Sequence, residues 1–254
     1  MVVSIIGGKP GVGKTSQLAS IAKLCGPTRW ASLELKDRPF LEARGLQWDQ
    51  ICKIHPPNHI DLFGENDAYM EDPHATLDAF QDWVISIIMS DPPAKLHTIV
   101  VDGISDLREY AIKEWIFLEN QARLSDGRKI RKTIGQENLS AWSEVNERIK
   151  HLLKPIINYS MSNGVNLFMT AQMGDKYEGG VRVGEKIDTP RWLDYYIEIM
   201  AEMVKESNSH FFVDCMKVPP WAECGPFVSD LEKDLGLLTA FASRGLIQCG
   251  GNTT

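Results

Sequence analysis

Val2-Val3-Ser4-Ile5-Ile6-Gly7-Gly8-Lys9-Pro10-Gly11-Val12-Gly13-Lys14-Thr15-Ser16 stands at the head of the chain. Its first five residues are apolar but for Ser4, too short a run for a helix face, and read as a buried strand. Gly8 to Thr15 then fits G-x-x-x-x-G-K-[ST], the phosphate-binding loop, between that strand and a helix predicted to start near Lys14. Glycines let successive backbone N–H groups turn inward around a phosphate, because no Cβ blocks a positive φ or a close approach. The helix start adds unpaired N–H groups and about half a positive charge. Gly8, Lys9, Pro10, Gly11, Val12, Gly13, Lys14, Thr15 and Ser16 are therefore the expected nucleotide contacts. Within them, Lys14 would meet the β and γ phosphates and the Thr15 hydroxyl would hold Mg²⁺.

Two further strand ends carry polar residues suited to the same chemistry. Arg29-Trp30-Ala31-Ser32-Leu33-Glu34-Leu35 reads as a strand broken by Lys36-Asp37-Arg38-Pro39. Ligands of open α/β sheets bind beyond the carboxyl ends of the strands, so Glu34 is a candidate base for the water that attacks a γ-phosphate, or else a surface glutamate. Thr98-Ile99-Val100-Val101-Asp102 is a β-branched run ending in an acid, the pattern of a strand whose Asp102 holds the water shell of Mg²⁺. Val165-Asn166-Leu167-Phe168-Met169-Thr170 is another buried strand, and Gln172 just past it could bond the γ-phosphate or the attacking water.

Between these strands the periodicity predicts helices. Ser16 to Leu24 is one, stopped by Gly26-Pro27. Pro73 to about Ser90 is a second, with Asp72 as N-cap and Leu77, Phe80, Val84, Ile87 and Ile88 inward. Asp106 to Asn120 is a third. Leu139 to Ser160 is a long fourth that Pro155 should kink or split. Ile51 to Ile54 reads as a short strand, and Asn58 to Asp72 as a polar surface loop. Tyr195 to Met203 and His210 to Val218 make a C-terminal antiparallel hairpin, followed by a last helix over about Ser229 to Arg244. The resulting class is α/β, a mostly parallel sheet flanked by helices, and residues 1–254 are expected to form one domain.

Composition narrows the partners. Apolar residues are 43% of the chain and the formal net charge is −7, so any nucleic-acid contact needs a local basic patch. One candidate is Gln121 to Lys132, where Arg123, Arg128, Lys129, Arg131 and Lys132 face a single acid, Asp126. Another is Gly174 to Asp188, with four glycines and Lys176, Arg182 and Lys186. Either could grip a phosphate backbone, and either could be a solvated charged connection. Cys25, Cys52, Cys215, Cys224 and Cys249 show no pairing or metal spacing and read as reduced thiols. No secretory signal fits the start, and no stretch approaches the roughly 18 apolar residues of a membrane span. The expectation is a cytoplasmic protein, of cellular, viral or plasmid origin.

Taken in order, the Gly8–Thr15 loop, Glu34, Thr98–Asp102 and Leu167–Gln172, with the helical Ala141-Trp142-Ser143-Glu144-Val145-Asn146-Glu147-Arg148-Ile149 before the last strand, resemble the RecA-like ATPase core. The minimal versions carried by phages and mobile elements are the most similar, over roughly residues 1–218. The resemblance implies ATP hydrolysis with Lys14, Glu34, Asp102 and Gln172 as the catalytic set, ATP and Mg²⁺ as cofactors, and Thr15 and Asp102 on the metal. It implies that the segments near 121–135 and 174–188 match the two DNA-contacting loops of recombinases. Single-stranded DNA would then be the partner, in recombination or annealing, with self-association left open. Lys9 offers an alternative. A lysine at this place of the loop resembles the signature lysine of ParA/MinD partition ATPases, which reaches across a dimer. A small-molecule kinase, with the 123–132 run as an Arg-rich lid, is a third reading.

Overall fold

The computed structural model describes residues 1–19, 28–33, 51–53, 59–61, 69–71, 73–90, 96–135, 138–178, 180–207, 210–233 and 236–247. The chain divides into two compact units, Met1–Cys52 with Asp91–Ser105 and Ile157–Thr254, and Lys53–Ser90 with Asp106–Ile156.

The first unit is built on an eight-stranded sheet. Its strands are β1 (Val3–Gly8), β2 (Thr28–Ser32), β3 (Ile51–Lys53, whose last residue falls in the second unit), β6 (Thr98–Asp102), β7 (Asn166–Ala171), β10 (Ile199–Lys205), β11 (Phe211–Lys217) and β12 (Phe227–Asp230), in the order β12-β11-β10-β1-β7-β6-β2-β3. β1 pairs in parallel with β7 and β10, β7 with β6, and β6 with β2; β10, β11 and β12 are antiparallel. This is the mostly parallel sheet with an antiparallel C-terminal end that the pattern predicts. Every residue of β1, β6 and β7 is buried, as continuous apolar runs in parallel strands require. On one face Ile6, Trp30, Val100, Phe168, Ala201 and Val213 pack with Leu18 of α1 (Lys14–Ala19) and Phe241 of a C-terminal helix, Leu237–Ser243. Gln17 ties those helices together, its Oε1 accepting the Leu237 N–H at 3.0 Å.

The second unit holds α2 (Pro73–Met89), most of α3 (Ile104–Ser125) and of α4 (Leu139–Asn163), and a two-stranded antiparallel pair, β4 (His59–Asp61) with β5 (Tyr69–Glu71). α2 starts at Pro73 as expected, while its cap Asp72 lies outside the described residues. A buried Glu114 links the three helices: its carboxylate takes His74 Nδ1 at 2.6 Å and Arg148 Nε at 3.0 Å, and Arg148 also reaches Asp78 at 3.1 Å.

Several boundaries differ from those the sequence predicts. The polar stretch over 58–72 contains β4 and β5, each only three residues long and too short for alternation to register. α3 runs beyond Asn120 to Ser125 and stops at Gly127 (φ +67°), where Arg128 N–H bonds the Arg123 carbonyl and Gly127 N–H that of Leu124. A glycine just past the last turn is the residue such a stop favours. Pro155 does not split α4; it lies on the exposed side, where the His151 carbonyl that loses its helical partner can meet water. Ile88 is exposed. Met173–Glu178 (β8) and Val181–Ile187 (β9) form an antiparallel hairpin in place of a plain connection. Tyr195 ends a short 3₁₀ helix (Arg191–Tyr195) rather than starting a strand. Ser229 and Asp230 belong to β12, and the last helix begins only at Leu237, after Gly236. The edge position of β12 explains this difference, since its four residues take their order from pairing with β11.

Candidate nucleotide site

Parallel pairing sets where polar residues gather. Because β1, β6 and β7 run the same way, the Gly8–Ser16 loop, Asp102 and Gln172 all emerge at one edge of the sheet. Glu34, two residues past the end of β2, lies outside the described residues.

The loop has the form the sequence predicts. Gly11 and Gly13 take left-handed φ of +79° and +86°, a conformation that favours glycine at both places. Lys9, Pro10 and Gly11 form its exposed crest, and Val12 anchors it in the core. α1 begins at Lys14, with Gln17 N–H bonding the Gly13 carbonyl at 2.9 Å. Lys14 and Thr15 are buried and Ser16 half-buried. The Lys14 ammonium folds back into the loop, donating to the carbonyls of Gly8 at 2.7 Å and Lys9 at 3.2 Å. A buried ammonium beside a glycine turn is suited to an anionic ligand at the same place.

Asp102 is fully buried at the end of β6. Its Oδ1 accepts the Thr170 hydroxyl at 2.6 Å, and that hydroxyl accepts the Gly103 N–H at 2.8 Å. Gln172 is held through its backbone: its N–H donates to Ser105 Oγ at 2.9 Å, and its carbonyl accepts from Asp188 N–H at 2.9 Å. The half-buried amide is thus carried at a fixed point between β7 and β8. Thr15 and Asp102 offer a hydroxyl and a carboxylate, the hard oxygen donors that suit Mg²⁺ and not a soft metal.

Some features near the loop have no counterpart in the sequence pattern. Lys9 pairs with Glu185 of β9 at 2.9 Å, within its own chain. Ile187 of the same strand fills the space over Gly7, where a Cβ would come within 2.3 Å of its side chain. Glu202, opposite Gly7 on β10, has its carboxyl raised above the ordinary range by burial and by Asp214 and Glu185, with Lys9 opposing. None of these carries a local signal, because each depends on strands far apart in sequence. Thr170 does carry one, a hydroxyl amid the apolar run of β7.

Four of the eight residues expected to meet DNA pair with acids. Arg123 pairs with Glu119 and Arg128 with Asp126, while the Arg131 guanidinium lies 6.0 Å from the centre of the Trp115 ring. The buried Asn120 bonds both the N–H and the carbonyl of Arg131, at 2.6 and 2.7 Å, so this segment is fastened to α3. On the hairpin, Lys176 pairs with Glu178, and Arg182 with Asp175 and Glu185. Lys129, Lys132 and Lys186 are exposed.

No protein-family model matches the chain. No curated protein is found as a relative. Among solved structures the chain is similar to the crystal structure of the RadB recombinase, with a TM-score of 0.53 and 11% identity over 90% of this chain and 86% of that one. At this identity the likeness concerns the fold alone, an α/β architecture with a mostly parallel sheet and an antiparallel C-terminal end.

Proposed function

We propose that the chain binds ATP with Mg²⁺ at the Gly8–Ser16 loop and hydrolyses it, in a RecA-like role on single-stranded DNA during recombination or annealing. The observation that carries the nucleotide reading is the buried Lys14 ammonium at the mouth of a left-handed glycine turn, on the sheet edge where Asp102 also ends its strand. Lys14 neutralises charge on the β and γ phosphates, and backbone N–H groups of the loop hold their oxygens. Thr15 and Asp102 would hold the metal, which would supply charge neutralisation to the phosphates. Gln172 bonds the γ-phosphate or the attacking water, and Glu34 orients and deprotonates that water.

The DNA part rests on the RecA-like order of the motifs and on the exposed Lys129 and Lys186. The paired Arg128 and Arg182 would exchange carboxylate for phosphate. The test is ATP turnover with single-stranded DNA, double-stranded DNA or neither, at two salt concentrations. Stimulation by single strands that weakens steeply with salt is expected. Equal rates in all three would end the DNA reading, and no turnover at all would end the ATPase reading.

A further inference from the structure

We propose that Thr170 is a positioning residue for the metal-binding acid, its hydroxyl setting the rotation of the Asp102 carboxylate; this rests on reading the loop as a Mg²⁺–nucleotide site. β6 and β7 are parallel neighbours, and the last paired residues, Val101 and Met169, leave Asp102 and Thr170 side by side at the strand ends. Both side chains are fully buried. A hydroxyl has one proton and two lone pairs. Because the Gly103 N–H already donates to Thr170 Oγ1 at 2.8 Å, that oxygen serves there as acceptor and spends its own proton on Asp102 Oδ1 at 2.6 Å. The bond is therefore a hydroxyl donating to a carboxylate, the stronger, charge-assisted kind.

Its direction matters for the metal. With Oδ1 committed to Thr170, the plane of the carboxylate is fixed relative to the sheet edge. Rotation would break a short bond between two fully buried side chains. Gly103, at a left-handed φ of +104°, turns its N–H toward the same hydroxyl. A second tie, Gln172 N–H to Ser105 Oγ at 2.9 Å, joins the same two chain segments a few residues on. Together they keep the acid and the glutamine from sliding past each other. A valine would fill the Thr170 site equally well by shape, so packing alone does not account for a buried hydroxyl that costs free energy unless bonded.

The experiment compares wild type, Thr170→Val and Thr170→Ser for binding of a fluorescent ATP analogue, first in EDTA and then across a Mg²⁺ titration. Expected for Thr170→Val is unchanged metal-free affinity and a Mg²⁺ midpoint raised about tenfold, the size of one missing charge-assisted bond. Thr170→Ser, which keeps the donor, should stay near wild type. A wild-type midpoint in Thr170→Val, or an equal loss of metal-free affinity, would overturn the positioning role and leave the nucleotide site standing. Failure of the wild type to bind the analogue, or to respond to Mg²⁺, would overturn the site reading and this role with it. If Thr170→Val does not fold by circular dichroism, Thr170→Cys, similar in shape with a weaker donor, takes its place and should show an intermediate rise.

Discussion

Lys14, Thr15, Asp102 and Thr170 are buried at strand and helix ends, whereas Arg128, Lys129, Arg182 and Lys186 stand in solvent. In the first group, Lys14, Asp102 and Thr170 hold bonds of 2.6 to 3.2 Å, set by backbone or by another buried side chain. In the second, charges meet acids a few residues away, as in Arg128 with Asp126 and Arg182 with Asp175. Burial makes the first arrangement strict, since an uncompensated charge or hydroxyl there is costly. Exposure makes the second lenient, because water can replace either partner and salt screens the pair. Chemistry that needs fixed geometry is therefore expected at the sheet edge. Contacts that must exchange, such as those to a flexible phosphate backbone, suit the exposed segments.

The sharpest break of this contrast would come at Lys14. Lys14→Ala should lower ATP turnover by roughly 10²- to 10³-fold, as removal of a preorganised electrostatic group does, measured by phosphate release. A variant with wild-type turnover would place the chemistry elsewhere. Next, reversing Arg128, Lys129 and Arg131 together should abolish stimulation by single-stranded DNA without changing the DNA-free rate. The slope of log affinity against log salt should become shallower by roughly 0.7 for each phosphate that the variant no longer neutralises. Persistent stimulation would shift attention to the β8–β9 hairpin.

The second unit tests whether strict burial always marks chemistry. Glu114→Gln weakens the bonds to His74 and Arg148 and should destabilise by roughly 1.5–3 kcal/mol in chemical denaturation, with the DNA-free ATPase rate retained in the folded fraction. Part of this depends on pH. The hydrogen bond to Glu114 raises His74 above its ordinary 6.5, with burial opposing and Asp78 adding. That contribution is complete below pH 6.5 and fades as pH climbs past the raised value. The His74 side chain is 60% exposed, so its share is below about 1 kcal/mol. A gap between wild type and variant that widens with rising pH would contradict it.

The smallest effect is expected at Lys9. Its pair with Glu185 is exposed, so Lys9→Ala should cost under about 1 kcal/mol and leave the oligomeric state unchanged with and without ATP, as read by light scattering. Disappearance of an ATP-dependent dimer in that variant would instead support the partition-type switch.

What is legible in the sequence follows from how local each signal is. The loop, β6 and β7 announce themselves because a strand buried on both faces is a continuous apolar run and a phosphate turn needs glycines at set places. The true end of α3 is harder to see because its polar last turn hides the helical period, and Gly127 alone marks the stop. The β8–β9 hairpin is hidden because glycine and mixed charge look alike in a loop and in an exposed two-stranded ribbon. Glu34 lies beyond what the structure describes, so its role rests on the sequence alone.

By itself the sequence determined the glycine turn between β1 and α1, the polar residues at the ends of the parallel strands and the α/β class, since these depend on residue type at short range. Only the tertiary structure decided which groups meet across that edge: Thr170 with Asp102, Ser105 with Gln172, Lys9 with Glu185. Those partners are 67, 68 and more residues apart, and strand register, which no local pattern encodes across such a separation, brings them together.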